Sequence, residues 1–352
     1  MATGLKSKSV SKRATKARAR PVLKRPRRTA LARKKAAASR RVPAKSRRDR
    51  RLAVATGLGL AALALGIALF MVPRRVTVSQ SPPSLRQEPA SESAFLDQAL
   101  SELSGKTVSE RLVHWSMALG QDAGLSTRLA ALSNAPSIED HAPLVPKSFD
   151  CTTFVETVAA LARSTTSAEF FSRVIEIRYK GSRPTFFERN HFPEADWLPN
   201  NQRNGILQDV TERIAAESGV EARSESKTID RGRWFDRGMR KGVFRGLASS
   251  EAPAAWKAPV AVSVKYLPLS ELDRYIERLP SGAVVNFVRG STPNQPVLIT
   301  HQGILFRSGG ITYIRHSKHD GRIRTVELKK YVRSHDGISW PLIGLNILSI
   351  NG

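Results

Sequence analysis

Apolar positions along this chain follow three successive patterns. From Leu52 to Val72 they are continuous, LAVATGLGLAALALGIALFMV, with no charge inside and arginines on both sides. A run of that length spans a bilayer core as a helix. From about residue 107 they recur at helical spacing. TVSERLVHWSMALG (107–120) puts Val108, Leu112, Trp115 and Leu119 on one face and closes on Gly120, and the stretch from Cys151 does the same with Phe154, Val155, Val158 and Leu161. SAEFFSRVIEIRY (167–179) predicts a third helix that turns extended toward Tyr179. Toward the C-terminus the runs are β-rich: GAVVNFVR (282–289), PVLITHQGILF (296–306), ITYIRHS (311–317), RIRTVEL (322–328) and LIGLNILSI (342–350). LSELDRYIERL (269–279) predicts a short amphipathic helix between the two parts. Helices first, then a mostly antiparallel sheet, describe an α+β domain.

Charge divides the chain differently. Residues 1–51 hold 21 of the 57 Lys and Arg and a single acid, Asp49, so most of the formal charge of +27 belongs to a tail. The tail lacks aromatics and nearly all large apolar residues, and cannot bury enough surface to offset its ordering entropy; it is expected to be disordered. A basic excess ahead of 52–72 predicts a single-pass protein of the bacterial inner membrane, with the tail cytoplasmic and the rest periplasmic or otherwise extracytoplasmic. A cleaved signal peptide is the competing reading, but the apolar run is longer than a usual signal core and only Ser79-Gln80-Ser81 offers a weak processing site. Residues 73–93 read as a proline-bearing linker and 94–352 as one compact domain. The tail beside a membrane helix suits anionic lipid headgroups, with non-specific DNA binding as the sharper alternative.

The chain has one cysteine. Cys151 follows Asp150, a good N-cap residue, at the first position of a predicted helix. The positive end of a helix dipole lowers a thiol pKa, so Cys151 is a candidate nucleophile. Such a thiol needs a base. His301 and His316 lie on two predicted strands joined by RSGG (307–310). A turn centred between Ser308 and Gly309 would set these histidines directly opposite one another, on one face and close enough for one ring to orient the other. In that arrangement Cys151 attacks a carbonyl, His301 moves the proton, His316 holds the tautomer, and N–H groups at the helix start contribute to an oxyanion hole. Spacing alone leaves other readings open. A lone cysteine before an apolar helix is commonly inert core, and a Cys/His/His zinc site is formally available, although CxxC, HxH and HExxH spacings are absent. No metal or other cofactor is called for.

FDCTTFVETVAALA, IRYKGSRPTFFERNHFPEADWL and GAVVNFVRG…THQGILF…RHSKHDGRIRTVELKKYV together resemble the bacterial N-acetylmuramoyl-L-alanine amidase-like family, of the NlpC-type branch of papain-like cysteine peptidases and amidases. The resemblance runs from about Asp150 to the C-terminus and more weakly back to Thr107. It implies a nucleophile helix packed on a sheet that carries the histidines, with Cys151 as nucleophile, His301 as base and His316 as the orienting residue. It also implies hydrolysis of a peptidoglycan amide, with Tyr179, Arg189, Asn190, His191 and Trp197 near the substrate cleft. The sequence departs from the family where LGQDAGLSTRL (119–129) lacks an upstream tyrosine and where Gln302 replaces a common aliphatic residue after His301. The expected function is a membrane-anchored cell-wall amidase acting between the muramic lactyl group and L-alanine. A stem-peptide endopeptidase of the same mechanism and a non-catalytic peptidoglycan-binding protein are the alternatives.

Overall fold

The structure, a computed structural model, describes residues 88–352 apart from 133–143, 245, 246, 248 and 319. The basic tail, the apolar run 52–72 and residues 73–87 lie outside the described residues. The rest of the expected linker is helical, because the first helix already begins at Glu88. Among the described residues no helix is long and apolar enough to cross a membrane.

Five helices lead: α1 (Glu88–Ser101), α2 (Val108–Gln121), α3 (Ala123–Leu132), α4 (Cys151–Ala162) and α5 (Ser167–Arg178). Strands dominate the remainder: β1 (Leu207–Asp209), β2 (Arg223–Ile229), β3 (Val260–Pro268), β4 (Ala283–Arg289), β5 (Ile299–Ser308), β6 (Ile311–Ser317), β7 (Ile323–Glu327) and β8 (Leu342–Ile350). They form one sheet in the order β2-β3-β8-β4-β5-β6-β7, with β1 on β8, and every pairing is antiparallel. The protein is α+β.

Successive strand residues point to opposite faces, and the core divides accordingly. Val284, Ile304 and Leu348 pack with Phe154, Val155 and Val158 of α4 and with α1, α2 and α5. Their chain neighbours Val285, Leu305 and Ile347 face a second cluster with Ile214, Leu272, Leu328 and Val332 from short helices. The sheet is therefore buried on both faces along β4, β5 and β8. That explains the unbroken apolar runs of these strands. The segment 269–279 is not one helix. It winds as three short turns, Leu269–Glu271, Leu272–Tyr275 and Ile276–Arg278, and the Tyr275 hydroxyl bonds the carbonyls of Leu267 and Pro268.

Helix α4 sits at the centre of the helical layer. Asp150 caps it: its Oδ1 accepts the Thr153 N–H at 2.7 Å, and Thr153 Oγ1 accepts the Asp150 N–H at 3.0 Å. Such a cap stabilises a helix by about 1 kcal/mol. One polar contact ties α4 to α5 inside the core, where Arg178 Nε meets Glu156 Oε2 at 2.7 Å with both side chains almost wholly buried. Arg178 Nη1 also donates to Leu144 O at 2.6 Å. Removing one member of a buried pair strands the other's charge and costs roughly 3–5 kcal/mol. Glu156→Ala is expected to lower the urea midpoint by that equivalent, whereas loss of the exposed Arg213–Glu217 pair should move it by no more than about 1 kcal/mol. Equal effects of the two changes would contradict the assignment.

Candidate active site

Strands β5 and β6 form a hairpin closed by Gly309 and Gly310, with φ of 55° and 76°, and Ser308 pairs with Ile311. The expected turn centre was one residue earlier. A tight hairpin turn of this type needs positive φ at both central positions, which glycine adopts without strain. The turn therefore centres on the glycine pair, and the register moves by two residues. His301 and His316 are not directly opposite. Because the shift is even, they still share a face. The ladder ends at Ile304–Arg315; one step beyond it Gly303 is level with His316, and His301 is the diagonal neighbour. His301 Nε2 lies 2.7 Å from His316 Nδ1, and the rings meet edge to face.

Beyond Ile304 the side of β5 that β6 has left is occupied by the start of α4. Ser317 Oγ donates to Phe149 O at 2.5 Å, and Thr152 Oγ1 donates to Gln302 Oε1 at 2.8 Å. The Gln302 backbone N–H is directed at the Cys151 sulfur, and Thr152 Oγ1 lies 3.9 Å from it. Cys151 is thus held beside the residue that follows His301.

The thiol pKa is raised, not lowered. Burial and the adjacent Asp150 carboxylate disfavour the thiolate, and they outweigh the hydrogen bonds from Gln302, Thr152 and the residue's own backbone. Burial also pushes His301 down to about 3, reinforced by His316, and His316 down to about 4. At rest the three groups are a neutral thiol and two neutral imidazoles.

A row of buried amides runs under this site on the α4 side of the sheet. Gln302 Nε2 donates to Asn286 Oδ1 at 2.8 Å, Asn286 Nδ2 donates to Asn346 Oδ1 at 2.9 Å, and Asn346 Nδ2 donates to Asp209 Oδ2 at 2.8 Å. Gln302, Asn286 and Asn346 are fully buried. They are cross-strand partners on β5, β4 and β8, so the ladder register lines them up. Asn346 Nδ2 also donates to Lys265 O at 3.0 Å, and a carbonyl oxygen can only accept. That sets the polarity of each amide in turn and leaves Gln302 Oε1 to accept from Thr152.

His301 opens on a cleft of about 350 Å³, also lined by Phe287, Arg289, Thr300, Tyr331, His335 and Trp340. Tyr331 lies nearly parallel to the His301 ring, with centroids 5.8 Å apart, and its edge contact with His316 measures 5.2 Å. Burial pushes its phenol up, and Cys151 is near enough to add to that shift. Sequence reasoning missed Tyr331, Gln302 and Arg289 as site residues. The i, i+4 spacing of Tyr331 and His335 on the helix Leu328–Arg333 and its C-terminal turn was a readable signal for the first.

None of the loop residues expected near substrate lines the His301 cleft. Trp197 and Tyr179 are buried in the interior. Asn190 spends Nδ2 on Ile177 O and Oδ1 on Asn200 Nδ2. His191 donates Nε2–H to Phe186 O at 2.7 Å and packs between Phe186 and Trp234, where burial lowers it to about 4. Arg189, with Asn190 beside it, lines a different pocket of about 310 Å³ that includes Lys180, Arg231 and Trp256. The loop instead braces the sheet: Glu194 Oε1 accepts the Leu298 N–H at 2.5 Å, just ahead of β5. Among the described residues no group of three or more His, Cys, Asp or Glu side chains is arranged to hold a metal ion.

Residues 125–338, more than half of the chain, match the AmiA-like, N-acetylmuramoyl-L-alanine amidase-like family. The chain belongs to that family. A crystal structure of a Legionella pneumophila protein shares the fold, with a TM-score of 0.62 and 20% identity over 75% of this chain and 95% of that one. Crystal structures of an N-acetylmuramoyl-L-alanine amidase from Bacteroides uniformis are looser likenesses. One has 23% identity and a TM-score of 0.46, covering 62% of this chain and 92% of that one; a second has 23% and 0.44, covering 58% and 84%. No sequence match is found among curated proteins.

Gln302 has a structural use, since an aliphatic residue there could neither receive Thr152 nor continue the amide row. Asn286→Leu should orphan Gln302 Nε2 and Asn346 Oδ1 and destabilise by roughly 1–3 kcal/mol per stranded group. In a double-mutant cycle with Gln302→Leu, urea unfolding should give a combined loss smaller than the sum of the two. Strict additivity would mean the row is not a unit.

Proposed function

We propose that this chain is a thiol amidase of the papain-like, NlpC type that hydrolyses a peptidoglycan amide, the bond between the muramic lactyl carbonyl and L-alanine. The observation that carries the reading is the pairing of the two histidines beside the cysteine. His301 Nε2 is taken up by His316 Nδ1, so Nδ1 is the ring atom left to receive a proton, and the neighbouring Gln302 N–H is directed toward the sulfur.

For His301 to act as base, its Nε2 must carry the hydrogen and donate to His316. His316 then holds its own hydrogen on Nε2, an atom buried without a partner. As Cys151 attacks the carbonyl carbon, its proton passes to His301 Nδ1, and the imidazolium that forms is stabilised through His316. The carbonyl oxygen becomes an oxyanion against the N–H groups at the start of α4. Collapse breaks the C–N bond, and His301 returns the proton to the departing amine of L-alanine. Water, deprotonated by the same imidazole, cleaves the thioester and releases the lactyl carboxylate. Because both groups are neutral at rest, proton transfer accompanies attack rather than preceding it as a stored ion pair. The run Leu52–Val72 would anchor this domain outside the cytoplasm, with residues 1–51 inside and against anionic lipid.

Digestion of purified muropeptides by the full-length chain should release intact stem peptides and sugars bearing a free lactyl carboxylate, read by mass spectrometry. Cys151→Ala should abolish this, a loss of at least about 10³-fold. Shortened stems on intact muramic acid would indicate an endopeptidase instead, and binding without any product would indicate a non-catalytic protein.

The pH dependence follows from the depressed histidines and the raised thiol. His301 stays an unprotonated base down to about pH 3, and the thiol keeps its proton into the alkaline range. The competent form is therefore constant from about pH 5 to about pH 8, and kcat/KM should be flat there. An inflection near the ordinary histidine value of about 6.5 would refute the buried, neutral pair.

A further inference from the structure

We infer that Arg289 is the anchor of a carboxylate subsite in the His301 cleft, so that the enzyme selects substrates with a free carboxylate close to the scissile amide. The inference rests on the amidase reading above and deepens it.

Arg289 is half buried on β4, the strand next to His301, and lines the same cleft. Its guanidinium is held in place rather than left mobile. Nε donates to Thr300 Oγ1 at 3.1 Å, Nη1 donates to Trp340 O, and the group lies over the Trp340 ring, 5.4 Å from its centroid. Trp340 is fixed in turn by its indole N–H, which donates to Gly290 O at 2.8 Å. Two of the five guanidinium N–H groups are used in this way.

Arg289 has no carboxylate partner among the described residues, in contrast to Arg178 and Arg231, which pair with Glu156 and Asp196. The lining of the cleft contains Arg289, His301 and His335 and no Asp or Glu. A partly desolvated cation, preorganised by neutral acceptors and facing a cleft without acids, is the arrangement that binds a planar anion through charge-assisted, forked hydrogen bonds. Thr300, which holds Nε, is the residue immediately before His301. The anion therefore belongs within about one or two residues of the bond being cut. In a muramoyl-L-alanyl-γ-D-glutamyl peptide that position is the free α-carboxylate of the glutamyl residue.

The test uses the full-length chain and two synthetic ligands that differ in one group, both with the glutamyl γ-carboxyl blocked as its methylamide: muramoyl-L-alanyl-D-glutamate γ-methylamide (free α-carboxylate) and muramoyl-L-alanyl-D-isoglutamine γ-methylamide (α-carboxamide). Binding is measured by calorimetry on the Cys151→Ala chain, so the result does not depend on turnover. The carboxylate ligand should bind roughly tenfold more tightly. Adding Arg289→Gln should make the two ligands equal, Arg289→Lys should retain part of the preference, and melting temperatures of all three should agree. Equal affinities in the Cys151→Ala chain, failure of both ligands to bind, or a preference that survives Arg289→Gln would each overturn the subsite. Hydrolysis of both ligands at equal rates by the unaltered chain would overturn it and leave the amidase reading intact. Cleavage of neither ligand by that chain, together with an Arg289-dependent binding preference, would overturn the amidase reading and keep the subsite.

Discussion

The site depends on β5 losing its β6 partner beyond Ile304 and gaining the start of α4 in its place. A backbone N–H on a buried strand must find an acceptor, and the Gln302 N–H, left without a β6 partner, is directed toward the Cys151 sulfur. The same separation gives His301 and His316 the room to meet diagonally, with Gly303 level with His316. A Cβ on Gly303 would come within 2.7 Å of Ile314 Cδ1 and 2.9 Å of Arg315 O. The site is thus built from a local failure of pairing, held open by a glycine and filled by a helix end.

What holds the helix end there is polar, buried and directional. Thr152 reaches Gln302, and the amides of Gln302, Asn286 and Asn346 carry the same hydrogen-bond direction across three strands to Asp209. Buried amides are costly unless each is satisfied, and when satisfied they select one arrangement over near alternatives. Apolar contacts between α4 and the sheet would hold the helix in place but tolerate sliding; a row of amides with a fixed sense does not.

Electrostatics at the site follow from depth. Burial opposes charge on the thiol and on both imidazoles, and the Asp150 carboxylate adds to it at Cys151, so the resting state is neutral. Charge can develop only when substrate brings its own compensation. That requirement agrees with a preorganised Arg289 in the same cleft, whose wall also carries Phe287, Tyr331 and Trp340.

The sequence by itself determined the α+β class, the helices at Val108, Cys151 and Ser167, the five C-terminal strands, and the Asp150-Cys151 start of α4, because these rest on local periodicity and capping. It also showed that His301 and His316 share a face, since an even shift in register keeps strand parity. Strand β2, RSESKTI, was hidden because its pattern is polar, and β3, VAVSVKYLP, alternates legibly but went unread. Only the tertiary structure decided the diagonal meeting of the histidines, the raised thiol, the burial of Trp197 and the convergence of Arg289, Thr300 and Trp340. The register was set by which residues could adopt positive φ, the thiol by the partial burial of the helix end and the carboxylate beside it, and the cleft by residues brought together across neighbouring strands and a distant loop. None of these is a property of a single segment.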